Sequence, residues 1–194
     1  MHLIDPSRLQ LCRYRAAVTG SKQRPLLFLD VDGPLIPFGA TPGEYPTYEA
    51  VSSPDAHENP LVARIDPEHG KRLLALGCEL VWATSWMDEA NDCIAPRLGL
   101  SQLAIVAWPD APATEEQDVR DGLHWKTRTL VAKAGGRPFV WLDDEITDND
   151  RVWVSAHHPG SALLHRVNPN NGLTQVDYQA VEEWLAQRCS PRSR

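Results

Sequence analysis

The stretch that most constrains this chain is residues 25–37, PLLFLDVDGPLIP. Leu26, Leu27, Phe28, Leu29 and Val31 form an apolar run too short for a free-standing helix and of the kind expected for a strand buried on both faces. Such a strand should hold no charge, yet this one carries Asp30 and Asp32. On an extended segment the i, i+2 spacing points both carboxylates to one side, and Gly33-Pro34 then breaks the strand. Burying unpaired carboxylates is costly, so a cation is expected beside them. The carboxyl end of a central parallel strand is also where α/β proteins place their ligands. The alternative is a strand followed by a plain acidic turn.

The rest of the chain alternates strand and helix. Residues 1–24 read as a leader with a weak helical patch over 9–18, and 190–194 as a tail. Pro34, Pro37, Pro42, Pro46, Pro54 and Pro60 exclude one regular element, so 34–60 reads as a loop or flap. Asp66-Pro67 opens a helix that stops at Gly77. A strand over 78–83 runs into Thr84-Ser85-Trp86, and a helix follows over 87–98. A strand at 104–108, a loop at 109–121 and a helix at 122–134 carrying Lys126 come next. A strand over 139–142 ends in Asp143-Asp144-Glu145. The chain closes with a helix at 148–154, a strand at 162–167 and a helix at 176–188. Apolar strands in this rhythm predict a doubly wound, Rossmann-like three-layer α/β/α sandwich with a mainly parallel sheet of about five strands, in one domain over 25–189.

Chemistry-bearing residues stand at successive strand ends and helix starts: Asp30 with Asp32, then Thr84, Lys126, and Asp143 with Asp144 and Asp148. This ordered set resembles the four motifs of the haloacid dehalogenase (HAD) superfamily over about residues 25–168. The resemblance implies phosphoryl transfer: Asp30 as nucleophile, and Asp32 as proton donor to the leaving oxygen and then as the base that activates water. It implies Mg²⁺ held by Asp30, the Asp32 carbonyl and Asp144, with Asp143 and Asp148 in support. Thr84 and Lys126 would bind the phosphoryl oxygens, with Lys126 also pairing Asp30. The chemistry itself asks for such a set, because a phosphoryl group reaching a carboxylate brings negative charge to negative charge.

Each residue also has a plainer reading. Thr84 suits a strand for its β-propensity, and Ser85 could replace it. Lys126 alone resembles a solvated helix charge. Asp143-Asp144 could be an acidic helix start favoured by the dipole, and Asp148 and Asp150 could cap that helix. Pro34 stands where the superfamily usually has Thr, which leaves both catalytic acids in place. An Asp at position 32 matches HAD phosphatases and phosphomutases rather than dehalogenases.

A net charge of −7 over 194 residues argues against broad binding to nucleic acid or anionic membrane. No apolar run approaches the roughly 20 residues needed to span a bilayer. Cys12, Cys78, Cys93 and Cys189 form no CxxC pair and read as free thiols of a cytoplasmic protein. Neither window in which HAD proteins insert caps, 34–60 or 87–123, reads as a separate domain. The resemblance therefore implies an open site acting on a phosphorylated small molecule or macromolecular end. Gly33, Ser85, Trp86, Tyr45 and Tyr48 are candidate substrate contacts, the aromatics by stacking on a base. The segment Thr84-Ser85-Trp86 is similar to HAD domains associated with RNA repair. Trp82, Trp141 and Trp184 read as core. The other readings are a phosphotransferase or phosphomutase using the same intermediate, and a non-catalytic phosphate-binding module.

Overall fold

The computed structural model describes residues 23–40, 45–48, 59–109 and 115–189. Strands Leu26–Leu29 (β1), Glu79–Trp82 (β2), Ala104–Ile105 (β3), Phe139–Asp143 (β4) and Ala162–Arg166 (β5) form one sheet in the order β3-β2-β1-β4-β5, all neighbours parallel. The α-helices are Glu68–Ala75 (α1), Glu115–Asp121 (α2), Thr127–Ala134 (α3), Asp148–His157 (α4) and Gln175–Cys189 (α5).

Strand alternation splits the core into two layers. Leu27, Leu29, Leu80, Trp82, Val140 and Leu142 face one layer, closed by Leu73 of α1 and by Tyr178, Val181 and Leu185 of α5. Leu26, Phe28, Val81, Phe139 and Trp141 face the other, closed by Leu130 and Ala134 of α3 and Val154 of α4. This is the expected α/β/α sandwich, with β1 at its centre because every residue of β1 is buried. Trp82 and Trp141 are fully buried, whereas Trp184 only packs against the margin of the core, where Arg188 lies over its ring.

Details differ from the sequence reading for local reasons. The helix expected over 87–98 is a set of turns around a π-helical stretch, Ala90–Ile94. The Asn91 side chain bonds there to Leu103 N–H, the Leu103 carbonyl and the Trp82 indole, tying this stretch to the entry of β3. The segment read as a loop over 109–121 contains α2, fastened by ion pairs from Arg128 to Asp118 and Asp121. The helix expected from 122 begins only at Thr127, since Gly122 has φ +64° and His124 N–H is donated to Asp150. The helix expected to open at Asp66-Pro67 starts one residue later, at Glu68, with Pro67 in helical dihedrals at the cap position and Asp66 Oδ1 accepting from Glu68 N at 2.9 Å. The expected leader helix over 9–18, the tail and much of the 34–60 flap lie outside the described residues. Among the described residues no helix is long and apolar enough to cross a membrane.

One contact fixes how α1 lies on the turns after the π-helical stretch. A Cβ at Gly70 would fall 1.7 Å from the Leu98 carbonyl oxygen, so only glycine permits the approach. Gly70→Ala should lower stability by about 1–3 kcal/mol, as overpacking of a closed contact does. A urea midpoint equal to that of the parent protein would contradict this packing.

Candidate active site

Register brings the acids together. Leu29 pairs with Leu142 and Asp30 N–H donates to the Leu142 carbonyl at 3.0 Å, so Asp30 and Asp143 leave neighbouring strands side by side. The β1–β4 boundary is where the strand order reverses, and ligands of open parallel sheets bind at that point. After Asp30 the chain turns: the Val31 carbonyl accepts from Leu35 and Ile36 N–H, both at 2.9 Å, and Gly33 N–H donates to the Ile36 carbonyl at 3.0 Å. The extended geometry expected for the acid pair therefore stops at Asp30. Asp30 is buried and Asp32 is half-buried. Gly33 has φ +82°, and a Cβ on it would meet the Asp144 carboxyl at 2.5 Å. Glycine is thus required for the first loop to lie against Asp144.

Lys126 supplies the expected cation. Its Nζ lies 2.6 Å from Asp30 Oδ2 and 2.8 Å from Asp143 Oδ2, all three groups being buried. Asp143 is further held by the Trp141 indole at 3.1 Å and by Glu145 N–H at 2.9 Å. Burial pushes the Asp30 carboxyl up to about 7; Lys126 opposes that rise and Asp143 adds to it. Asp144, raised by burial and then by Asp143, stands at about 6. Burial works against the Lys126 ammonium too, but Asp30 and Asp143 hold it above the usual lysine range. Three carboxylates share one ammonium, so the cluster carries more negative charge than it can neutralise.

Thr84 and Trp86 arrive from the end of β2. Thr84 is fully buried and its Oγ1 accepts from Trp86 N–H at 3.3 Å, while Ser85 is exposed. The Trp86 indole N–H donates to Asp32 Oδ2 at 2.9 Å. Ser85 and Trp86 line an open hollow with Asn59, Val62, Glu89 and Cys93.

Three expected site residues lie apart. The Asp148 side chain is 97% exposed and pairs with Arg151, so its place is in the first turn of α4 rather than in the acidic cluster. The buried acid of that turn is Asp150, which forms a capping box with Thr147 and accepts from the Thr127 hydroxyl at 2.5 Å. Tyr45 and Tyr48 border a separate cavity with Arg64, His69 and Asn170. There the Tyr45 hydroxyl accepts from Ala40 N–H and Tyr48 bonds to Asp66.

Two further residues belong to the site. His124 Nδ1 accepts from Lys126 N–H at 3.2 Å, which leaves Nε2 to donate to Glu145 at 3.0 Å; this pins the backbone that carries Lys126. Trp125 is 45% exposed, with its ring centre 5.4 Å from Lys126 Nζ and its plane set edgewise on Trp108. The signal for both was adjacency to the isolated lysine.

The residues fit a hard divalent cation. Oxygens of Asp30, Asp143 and Asp144 lie within 4.8 Å of one another, and oxygen-only donors suit Mg²⁺. Among the described residues, Asp144 has no side-chain donor and takes a hydrogen bond from its own backbone. The second acidic group, His124 with Asp143 and Glu145, has both ring nitrogens committed and fits a metal less well. A testable pH dependence follows. Asp30 and Asp144 both stand above their ordinary 3.8, so their contribution to metal-free stability is complete below about pH 4 and is lost as pH rises through about 6 to 7. A cation competes with protons for these carboxylates, so it should bind more tightly over the same rise. In thermal melts the Mg²⁺-induced rise in Tm should grow from about pH 5 to about pH 8. A rise independent of pH would contradict the cluster as the metal site.

No curated protein matches the chain. A family model does match, that of the HAD domain in Swiss Army Knife RNA repair proteins, over residues 26–178. The matched span starts at β1, runs into α5 and contains Asp30, Asp32, Thr84, Lys126, Asp143 and Asp144. The chain belongs to this family of HAD domains.

Proposed function

We propose that the chain is a Mg²⁺-dependent phosphatase that hydrolyses a phosphate monoester at an RNA end through a phosphorylated Asp30. The observation that carries this reading is the buried contact of Lys126 with both Asp30 and Asp143 beside Asp144. Membership of the HAD family supports phosphoryl-transfer chemistry, and the family's description, RNA repair, supports the substrate class. When bound by Asp30 and Asp144, with Asp143 beside them, Mg²⁺ supplies positive charge at the transferred oxygens.

The protein's own groups divide the work as follows. Lys126 has three N–H donors; two meet Asp30 and Asp143, leaving one for a phosphoryl oxygen. The Thr84 Oγ1 accepts from Trp86, so its own hydrogen is free to donate to another such oxygen. An Asp30 oxygen bonds to phosphorus as the ester P–O bond breaks, and Asp32 gives a proton to the departing oxygen. Asp32 then takes a proton from water, the water oxygen bonds to phosphorus, and the bond to Asp30 breaks to release phosphate. Trp125, exposed beside Lys126, offers a face on which the terminal base can stack.

The test is turnover of p-nitrophenyl phosphate and of 5′- and 3′-phosphorylated RNA oligonucleotides. Activity should require Mg²⁺ and vanish in Asp30→Asn. Trp125→Ala should raise KM for the preferred oligonucleotide by about fivefold or more, from the loss of one stacked base at roughly 1–3 kcal/mol. The same variant should leave p-nitrophenyl phosphate nearly unaffected. Full turnover in EDTA, or in Asp30→Asn, would overturn the mechanism. Equal KM changes on both substrates would overturn the stacking role.

A further inference from the structure

We infer that Trp86 is a positioning residue for Asp32: its indole N–H fixes one oxygen of that carboxylate and thereby assigns the travelling proton to the other. This rests on the phosphatase reading above and adds to it which residue orients the acid/base.

The indole is delivered by a local design with few alternatives. Thr84, buried at the end of β2, accepts Trp86 N–H on its hydroxyl oxygen, a Ser/Thr-type turn. Met87 follows with φ +49°, the only positive φ outside glycine among the described residues. A long side chain rarely adopts that conformation, and strained backbone of this kind persists where its surroundings over-determine it. The ring is half-buried against the core layer that contains Ile94 and Val62. Turn, strain and packing together set the ring so that Nε1 meets Asp32 Oδ2 at 2.9 Å.

Asp32 needs such a partner more than Asp30 does. Asp30 Oδ2 is held by Lys126 and Oδ1 by Val31 N–H. Asp32 is half-buried on a turn, and among the described residues the indole is its one side-chain donor. The chemistry of that donor matters. An indole N–H donates, cannot accept and does not titrate in water. It therefore cannot take the proton Asp32 must pass on, and it can stay bonded to Oδ2 whether Asp32 is ionised or protonated. Oδ1 is left to give its proton to the leaving oxygen and to take one from water in the second step. Proton transfer needs heavy atoms within about 2.6–3.2 Å, so a carboxylate free to rotate would meet that geometry less often. A substrate-stacking role for Trp86, the expectation from sequence, does not account for the N–H bond.

The two roles separate by leaving group. p-Nitrophenolate departs without a proton, whereas an alkyl phosphate such as 2-glycerophosphate needs one from Asp32. Trp86→Phe keeps an aromatic ring and removes the donor. On the full chain with Mg²⁺, kcat/KM for 2-glycerophosphate should fall about tenfold or more relative to that for p-nitrophenyl phosphate. Phosphoenzyme should also accumulate with p-nitrophenyl phosphate, read as a p-nitrophenol burst and a phosphate adduct by intact mass, because release requires Asp32 as base. If Trp86→Phe does not fold, benzothienylalanine at position 86, with sulfur in place of N–H and the same outline, decides the matter by the same two readouts. Equal losses on both esters without a burst, or a change confined to KM, would overturn the inference while leaving the phosphatase reading intact. A parent protein inert towards both esters and towards phosphorylated RNA, or an active Asp30→Asn, would remove the phosphatase reading and this inference with it.

Discussion

The site depends on one buried ammonium. Asp30 and Asp143 emerge from adjacent central strands into buried surroundings, and Lys126 sits between them at 2.6 and 2.8 Å. Coulomb attraction in such a place is large, but so is the cost of stripping water from the ions. The contact persists because each partner has further satisfaction: Asp143 from the Trp141 indole and Glu145 N–H, and Asp30 from Val31 N–H. His124 pins the backbone of Lys126, and Asp150 holds His124 N–H and the Thr127 hydroxyl. The arrangement is nonetheless one-sided in charge. Asp144 completes the imbalance, which is the physical reason the cluster fits a cation.

Asp30 and Asp32 are only two residues apart, yet the fold treats them differently. Asp30 is clamped by a cation and a backbone donor at the carboxyl end of the central strand. Asp32 lies on the turn that follows, half-buried, with a neutral indole as its partner. Under the proposed mechanism, these separate environments would let two neighbouring carboxylates serve one as nucleophile and the other as proton carrier. Gly33 joins the two tasks, since its positive φ makes the turn and its missing Cβ lets Asp144 approach.

Much of this was legible in the chain. The apolar runs at 26–29, 80–82 and 139–142 sit where strands were expected, and the charges that interrupt or follow them mark the site. Lys126 was identifiable by its position between strand ends, although alone it resembles a surface charge. Other features escaped because they depend on which atom faces which. The spacing of Trp86 and Asp32 does not reveal a hydrogen bond across 54 positions. Asp148 was favoured over Asp150, although Thr147 three residues before Asp150 is a capping-box pattern that assigns Asp150 to the helix start. The helix Glu115–Asp121 is held by Arg128 from the next element, a tertiary contact that local propensity does not report. Tyr45 and Tyr48 are near the first motif in sequence, but their hydroxyls are committed at a separate cavity.

The central claim is that Asp30 accepts a phosphoryl group, and trifluoroberyllate, which mimics that group on a carboxylate, tests it directly. In ¹⁹F NMR of the protein with Mg²⁺ and beryllium fluoride, bound resonances should appear, require Mg²⁺ and be absent in Asp30→Asn. Bound resonances that survive Asp30→Asn, or none in a parent protein that hydrolyses phosphate esters, would contradict Asp30 as the nucleophile.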